Sequence, residues 1–110
     1  MPLMKRGEVW WVDFDPAMGG EVRKTRPAVI ISNDSAIRAL NLLQVVPLSS
    51  KTDKIYPCET VVTAGGRRSK AMADQIATVA KERLPKELGR LTPEELTDVD
   101  RVIRLQLGLS

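Results

Sequence analysis

The sequence predicts an α+β fold that is mostly β: a small antiparallel barrel or curled sheet with a C-terminal helix. Two observations carry this. Residues 1–80 break into short runs rich in β-formers, punctuated by Gly, Pro and polar clusters. Residues 92–108 carry one helical pattern with a start signal and a stop signal. At 110 residues the chain is expected to hold one domain, residues 1–110, and to bury a core without metal or disulfide staples.

The first run, EVWWVDF (Glu8 to Phe14), lies between Gly7 and the turn residues of DPAMGG and reads as a strand. Trp10 and Trp11 are adjacent in it, so they face opposite sides. One belongs to the core; the other is either a stacking surface for bases or part of a subunit interface. AVIIS (Ala28 to Ser32) is a continuous β-branched run, as a strand buried on both faces requires. NDSAIRAL is a short helix or turn capped by Asn33 or Asp34. LLQVVPL (Leu42 to Leu48) is a third strand, with Pro47 where an edge or bulge tolerates it. After the polar loop SSKTDKIYP comes CETVVT (Cys58 to Thr63), a fourth strand. AGGRRSK reads as a tight basic turn, in which Gly65 and Gly66 supply positive φ. AMADQIATVA reads as one or two short strands.

The terminal helix is the most fully specified element. Thr92 is its N-cap, Pro93 its first residue, and Glu95 completes a capping box. Leu96, Val99, Ile103 and Leu107 recur at helical spacing, flanked by Val102 and Leu105, and Gly108 is the C-cap. That stripe must be buried on the sheet or on a second subunit.

Composition excludes several chemistries. The chain has no histidine, so a Ser-His-Asp triad, paired-histidine acid–base catalysis and any His-based metal site are closed to it. Its one cysteine, Cys58, allows neither an intrachain disulfide nor a thiolate metal cluster, and fits a reducing cytoplasm. No apolar run approaches the ~20 residues of a membrane span. MPLMKRGEVWW lacks the h-region of a secretion signal, so neither export nor membrane association is expected. The net charge of +3 arises within residues 1–80, since residues 81–110 are neutral. That placement suits either an anionic partner or an ordinary solvated surface.

The loops carry the candidate chemistry. In GGEVRKTRPAVIIS (Gly19 to Ser32), a glycine hinge bearing Glu21, Arg23 and Lys24 runs through Arg26 into a strand. Pro27 biases Arg26 to an extended backbone. Its guanidinium then either forks onto a phosphate or pairs with an Asp of the barrel. Ser49 and Ser50, at the end of the third strand, either donate to a phosphate oxygen or bond the turn they begin. Asp74 and Gln75 sit among apolar residues, where a carboxylate is expected to be paired or functional.

Taken together, RGEVWWVDFDPAMGGEVRKTRPAVIIS, VVPLSS, KAMADQI and the terminal helix resemble, in order and over essentially the whole chain, the MazF/PemK toxins of toxin–antitoxin systems. The resemblance implies an SH3-like antiparallel barrel of the kind shared by MazF, Kid and CcdB, assembled as a homodimer. It implies a metal-independent, sequence-specific endoribonuclease that needs no cofactor and cuts single-stranded RNA to 2′,3′-cyclic phosphate and 5′-hydroxyl ends. It also implies a cognate MazE-like antitoxin whose acidic tail occupies the RNA groove.

On this resemblance Arg26 stabilises the charge on phosphorus, with proton delivery to the leaving group as an additional role. Ser49 stands where the best-known members have Thr, keeping the hydroxyl and losing the rotamer restriction of the methyl group. Glu21 is the acid of the first loop, as base or as orienting group. Asp74 and Gln75 match the D-Q step that lies at the active site of Kid-like members. Some of those use a histidine, which this chain lacks, so the base rests between Glu21 and Asp74. Arg23, Lys24, Lys51, Lys54, Arg67 and Arg68 are expected to line the RNA path, each as one electrostatic contact. The alternatives are a CcdB-like gyrase poison without enzymatic activity and a binding module that has lost catalysis. The Arg-Pro-Ala step and Ser49 favour the nuclease, and no Trp lies near the C-terminus, where CcdB-type poisoning depends on one.

Overall fold

The computed structural model describes residues 4–14 and 25–110. Its strands are β1 (Glu8–Asp13), β2 (Thr25–Ile30), β3 (Leu42–Ser49), β4 (Glu59–Ala64), β5 (Arg67–Met72), β6 (Ala77–Ala80) and β7 (Lys86–Arg90). Helix α1 (Asp34–Ala39) lies between β2 and β3, and α2 (Pro93–Leu107) follows β7. Short 3-10 turns occupy Ala73–Gln75 and Lys81–Arg83. The strands pair antiparallel in the order β4-β5-β3-β2-β1-β7, with β6 also against β3.

The sheet is covered on both faces, which explains the unbroken apolar runs. Successive side chains alternate between faces. Val9, Val29, Val46, Leu48 and Ala71 point to one core, which Leu91 and Val99 complete. Trp10, Val12, Ala28, Ile30, Leu43 and Val45 point to a second, which Ile37 of α1 completes. Ala28, Val29 and Ile30 are fully buried, as the β-branched run requires. Trp10 is the core tryptophan, with its Nε1–H donated to Glu8 at 3.0 Å.

Helix α2 begins and ends where its signals lie. The Thr92 side chain accepts from Glu95 N–H at 3.1 Å, and Glu95 Oε1 accepts from Thr92 N–H at 2.9 Å. Gly108 closes it with φ 72°. The other oxygen of Glu95 accepts from Thr63 N–H on the edge strand β4 at 2.7 Å, so the cap also bonds to the sheet. Val99 and Val102 are fully buried, while Leu105, Leu107 and Leu109 remain more than half exposed. The sheet therefore covers only the first part of the apolar stripe.

Three readings are refined and one strand is added. AGGRRSK is not all turn: Gly65 and Gly66 turn, and Arg67 onward is strand β5. RRSK has no apolar alternation to mark a strand, yet the ladder from Glu59↔Met72 to Ala64↔Arg67 is continuous. AMADQIATVA divides into the end of β5, a 3-10 turn and β6. β7, with the sequence KELGR, carries no apolar alternation and gave no strand signal. Pro47 lies in a central strand, not at an edge. It is tolerated because pairing to β6 ends at Val45 and pairing to β5 begins at Leu48, leaving Pro47 between the two ladders.

The β4–β5 turn packs on β7. A Cβ on Gly65 would lie 2.7 Å from Leu88, and Gly89 faces the Gly65 backbone nitrogen at 3.4 Å from its own ideal Cβ position. Gly65 also has φ 58°, a conformation that costs a non-glycine residue about 1–2 kcal/mol. Gly65→Ala is expected to lower stability by at least that amount, read as a fall in Tm by thermal denaturation. Gly66→Ala, at φ 76° with nothing within 4 Å, incurs only the conformational cost. Equal losses from the two would show that the contact with Leu88 is unimportant.

Candidate active site

One cavity of about 320 Å³ opens where the first core ends. Trp11, Pro27, Leu48 and Ser69 form its wall, each two residues along its strand from Val9, Val29, Val46 and Ala71 respectively. Arg26 enters from the start of β2, where it pairs in register with Val12. The Arg-Pro step supplies extended backbone at this point, and Arg26 is half-buried. Ser49 is the last residue of β3, opposite Lys70 of β5. Its Oγ accepts from Lys51 N–H at 3.2 Å, which turns the chain out of the strand and leaves the hydroxyl proton to donate.

Arg67, Ser50 and Lys51 complete the lining. The cavity thus gathers three cations and three hydroxyls, and among the described residues no carboxylate lines it. Such a site attracts an anion and can bind phosphate through arginine forks. Residues that could ligate a metal do not cluster among the described residues.

Of the candidate site residues, Arg26, Ser49, Lys51 and Arg67 come together here. Arg68 does not: it follows Arg67 in a strand and so projects to the other face, in register with Thr63. Lys54 lies further along the β3–β4 loop, with its Nζ 5.2 Å from the centre of the Tyr56 ring. Glu21, Arg23 and Lys24 lie outside the described residues.

Asp74 and Gln75 are exposed on the 3-10 turn and do not line the cavity. The expectation that Asp74 sits in an apolar interior is therefore corrected. The strand ends at Met72, and the turn directs the two polar residues outward. Asp74 instead hydrogen-bonds the thiol of Cys58, at the end of the β3–β4 loop. Partial burial pushes the Cys58 pKa up, and the charge and hydrogen bond of Asp74, then the charge of Glu59, act in the same direction. Cys58 is a thiol at neutral pH and not a nucleophile.

Sequence reasoning missed Ser69 and Lys70. Reading RRSK as a turn hid the two-residue period that puts Arg67 and Ser69 on one face. Lys70 looked like one more basic surface residue, yet it is buried. Its Nζ donates to Glu59 at 3.0 Å and to the Lys54 carbonyl at 3.0 Å, while Glu59 accepts from Tyr56 N–H at 2.9 Å. This buried pair ties the β3–β4 loop, which begins with Ser50 and Lys51, down onto β4 and β5.

The family profile for PemK-like, MazF-like toxins of type II toxin–antitoxin systems matches residues 5–107. This chain belongs to the PemK/MazF toxin family. Among its relatives, endoribonuclease MazF9 of Mycobacterium tuberculosis is 39% identical, over 97% of this chain and 98% of that protein. The endoribonuclease toxin MazF of Escherichia coli K12 is 34% identical, over 93% of this chain and 92% of its own. A crystal structure of MazE-MazF (form II) from Deinococcus radiodurans matches the whole of both chains, with a TM-score of 0.85 and 25% identity. These likenesses place the PemK/MazF fold on the chain and do not favour the gyrase-poisoning alternative.

The environment of Cys58 makes a testable prediction for this PemK/MazF member. Asp74→Asn removes the charge that opposes thiolate formation, so Cys58 is expected to react several-fold faster with a thiol reagent at pH 8. An unchanged rate would mean that burial alone holds the thiol protonated.

Proposed function

We propose that this toxin is an endoribonuclease that cuts single-stranded RNA without a metal. The observation that carries the reading is the convergence of Arg26 and Ser49 on one cationic cavity. It is supported by relatives that are themselves named endoribonucleases. In the proposed reaction the ribose 2′-oxygen loses its proton and attacks the adjacent phosphorus. The P–O5′ bond breaks, leaving a 2′,3′-cyclic phosphate, and the departing O5′ takes up a proton. No protein nucleophile or cofactor enters this scheme. Arg26 stabilises the negative charge that develops on the phosphate oxygens. Ser49 donates to a phosphate oxygen, and Arg67 and Lys51 hold the flanking backbone. Glu21 is the better candidate for the base, because Asp74 is turned away from the cavity.

The same cavity suits an acidic antitoxin segment, and the MazE-MazF structure from Deinococcus radiodurans supports a MazE-like partner. A cytoplasmic location follows from an RNA target. Among the described residues no helix is long and apolar enough to cross a membrane. A homodimer is proposed as well, with the exposed Leu105, Leu107 and Leu109 as apolar surface for it to cover. Sedimentation of the pure chain at micromolar concentration checks this; a monomer there would overturn it.

The decisive assay is cleavage of a long unstructured RNA in EDTA, with the ends of the products mapped. Arg26→Ala is expected to slow cleavage by about 10²–10³-fold with folding intact. Ser49→Ala, which removes one donor to a charged oxygen, is expected to cost about ten- to hundredfold. Undiminished cleavage by Arg26→Ala would overturn the assignment.

A further inference from the structure

The cavity contains more than a phosphate needs. Three cations and three hydroxyls suffice for an anion, yet one side of the site is a wall made by Trp11 and Pro27. These two residues are register partners across β1 and β2, so their side chains stand together on one face. The chain has only two tryptophans. Trp10 is spent on the core and bonded to Glu8, whereas Trp11 stays partly exposed at the cavity. Among the described residues Trp11 is not a member of the first core, whose member on that face of β1 is Val9, two residues earlier.

An apolar ring beside a cluster of cations and hydroxyls matches the parts of one unpaired nucleotide. In such a fit Arg26, Arg67 and Ser49 would meet phosphate, Ser50 and Ser69 the sugar, and the indole the base. Aromatic faces bind unstacked bases in this way, with little regard to hydrogen-bond pattern. We propose that Trp11, backed by Pro27, is the stacking platform for a base flanking the scissile phosphate. This rests on the RNA-cleavage reading and adds to it a binding subsite formed by β1. Trp11 thereby contributes mainly to substrate affinity and register, while Arg26 acts on the reacting phosphate.

The test uses the full chain and RNA of the cleavage sequence mapped in the assay above, with a 2′-deoxy sugar at the cut to prevent reaction. Binding is expected to quench tryptophan fluorescence saturably, and Trp11→Tyr, still able to stack, is expected to bind with most of the affinity but lose the quench. Trp11→Ala is expected to bind about ten- to hundredfold more weakly. On cleavable RNA it is expected to raise KM far more than it lowers kcat.

The discriminating measurement is a set of RNAs with a single abasic position on each side of the cut. One of them is expected to bind wild type as weakly as Trp11→Ala binds the intact RNA, and to lose nothing further in Trp11→Ala. That non-additivity identifies the stacked base. Wild-type affinity in Trp11→Ala would overturn the proposal. So would a loss that is equal for every abasic RNA, or one accompanied by a change in sedimentation, since either would make Trp11 a structural or subunit contact. In all three cases wild-type cleavage stands and the ribonuclease reading survives. Absence of both binding and cleavage by wild type would overturn the two together.

Discussion

β3 pairs with β6 through Val45 and with β5 from Leu48, and on its other edge with β2 from Val45 to Pro47. Pro47 has no N–H to donate, and it sits where this strand passes from one partner to the next. The cavity depends on that exchange. If β6 continued alongside β3 to its end, β5 could not reach Ser49, and Arg67 and Ser69 would have no route to the site. Because β2 stays on the opposite edge, Arg26 arrives from the other side. Three strands distant in sequence thus deliver their polar ends to one place, over a core they share.

The buried Lys70 works at the same spot on a finer scale. A buried ion pair is poor evidence for stability, since desolvation offsets much of the attraction. Its value here is geometric. Lys70 is the register partner of Ser49, and it reaches under the β3–β4 loop to bond both Glu59 and the Lys54 carbonyl. The loop leaves Ser49 with Lys51 already bonded back to the serine hydroxyl. Cations that must meet a phosphate are best held before it arrives, because ordering them on binding would cost conformational entropy. The exposed lysines of this loop are therefore attached to a fixed backbone even though their side chains extend into solvent.

Much of this was legible in the sequence, and the reasons are physical. Helix α2 was readable to its caps because Thr92, Pro93, Glu95 and Gly108 act locally, through bonds within one turn. β1, β2 and β3 were readable because each is apolar on both sides. β7 was not, since KELGR is held by its neighbours β1 and the Gly65 turn and has no pattern of its own. At the site, Arg26 and Ser49 announced themselves by position next to strand ends. The role of Lys70 did not, because burial of a lysine is decided by a carboxylate eleven residues away and a loop folded over both. Asp74 misled for the converse reason: apolar neighbours in sequence say nothing when a 3-10 turn rotates the side chain outward.

The second bond of Glu95 reaches beyond the helix it caps. β4 is the outer strand of the sheet, and an outer strand offers unpaired N–H groups to any extended chain that drifts alongside. Thr63 N–H is one of these, and Glu95 already occupies it. The same carboxylate places a negative charge along that margin, where an incoming strand would have to desolvate it. The start of a helix thus also occupies part of the open margin of the sheet, with one residue serving both elements.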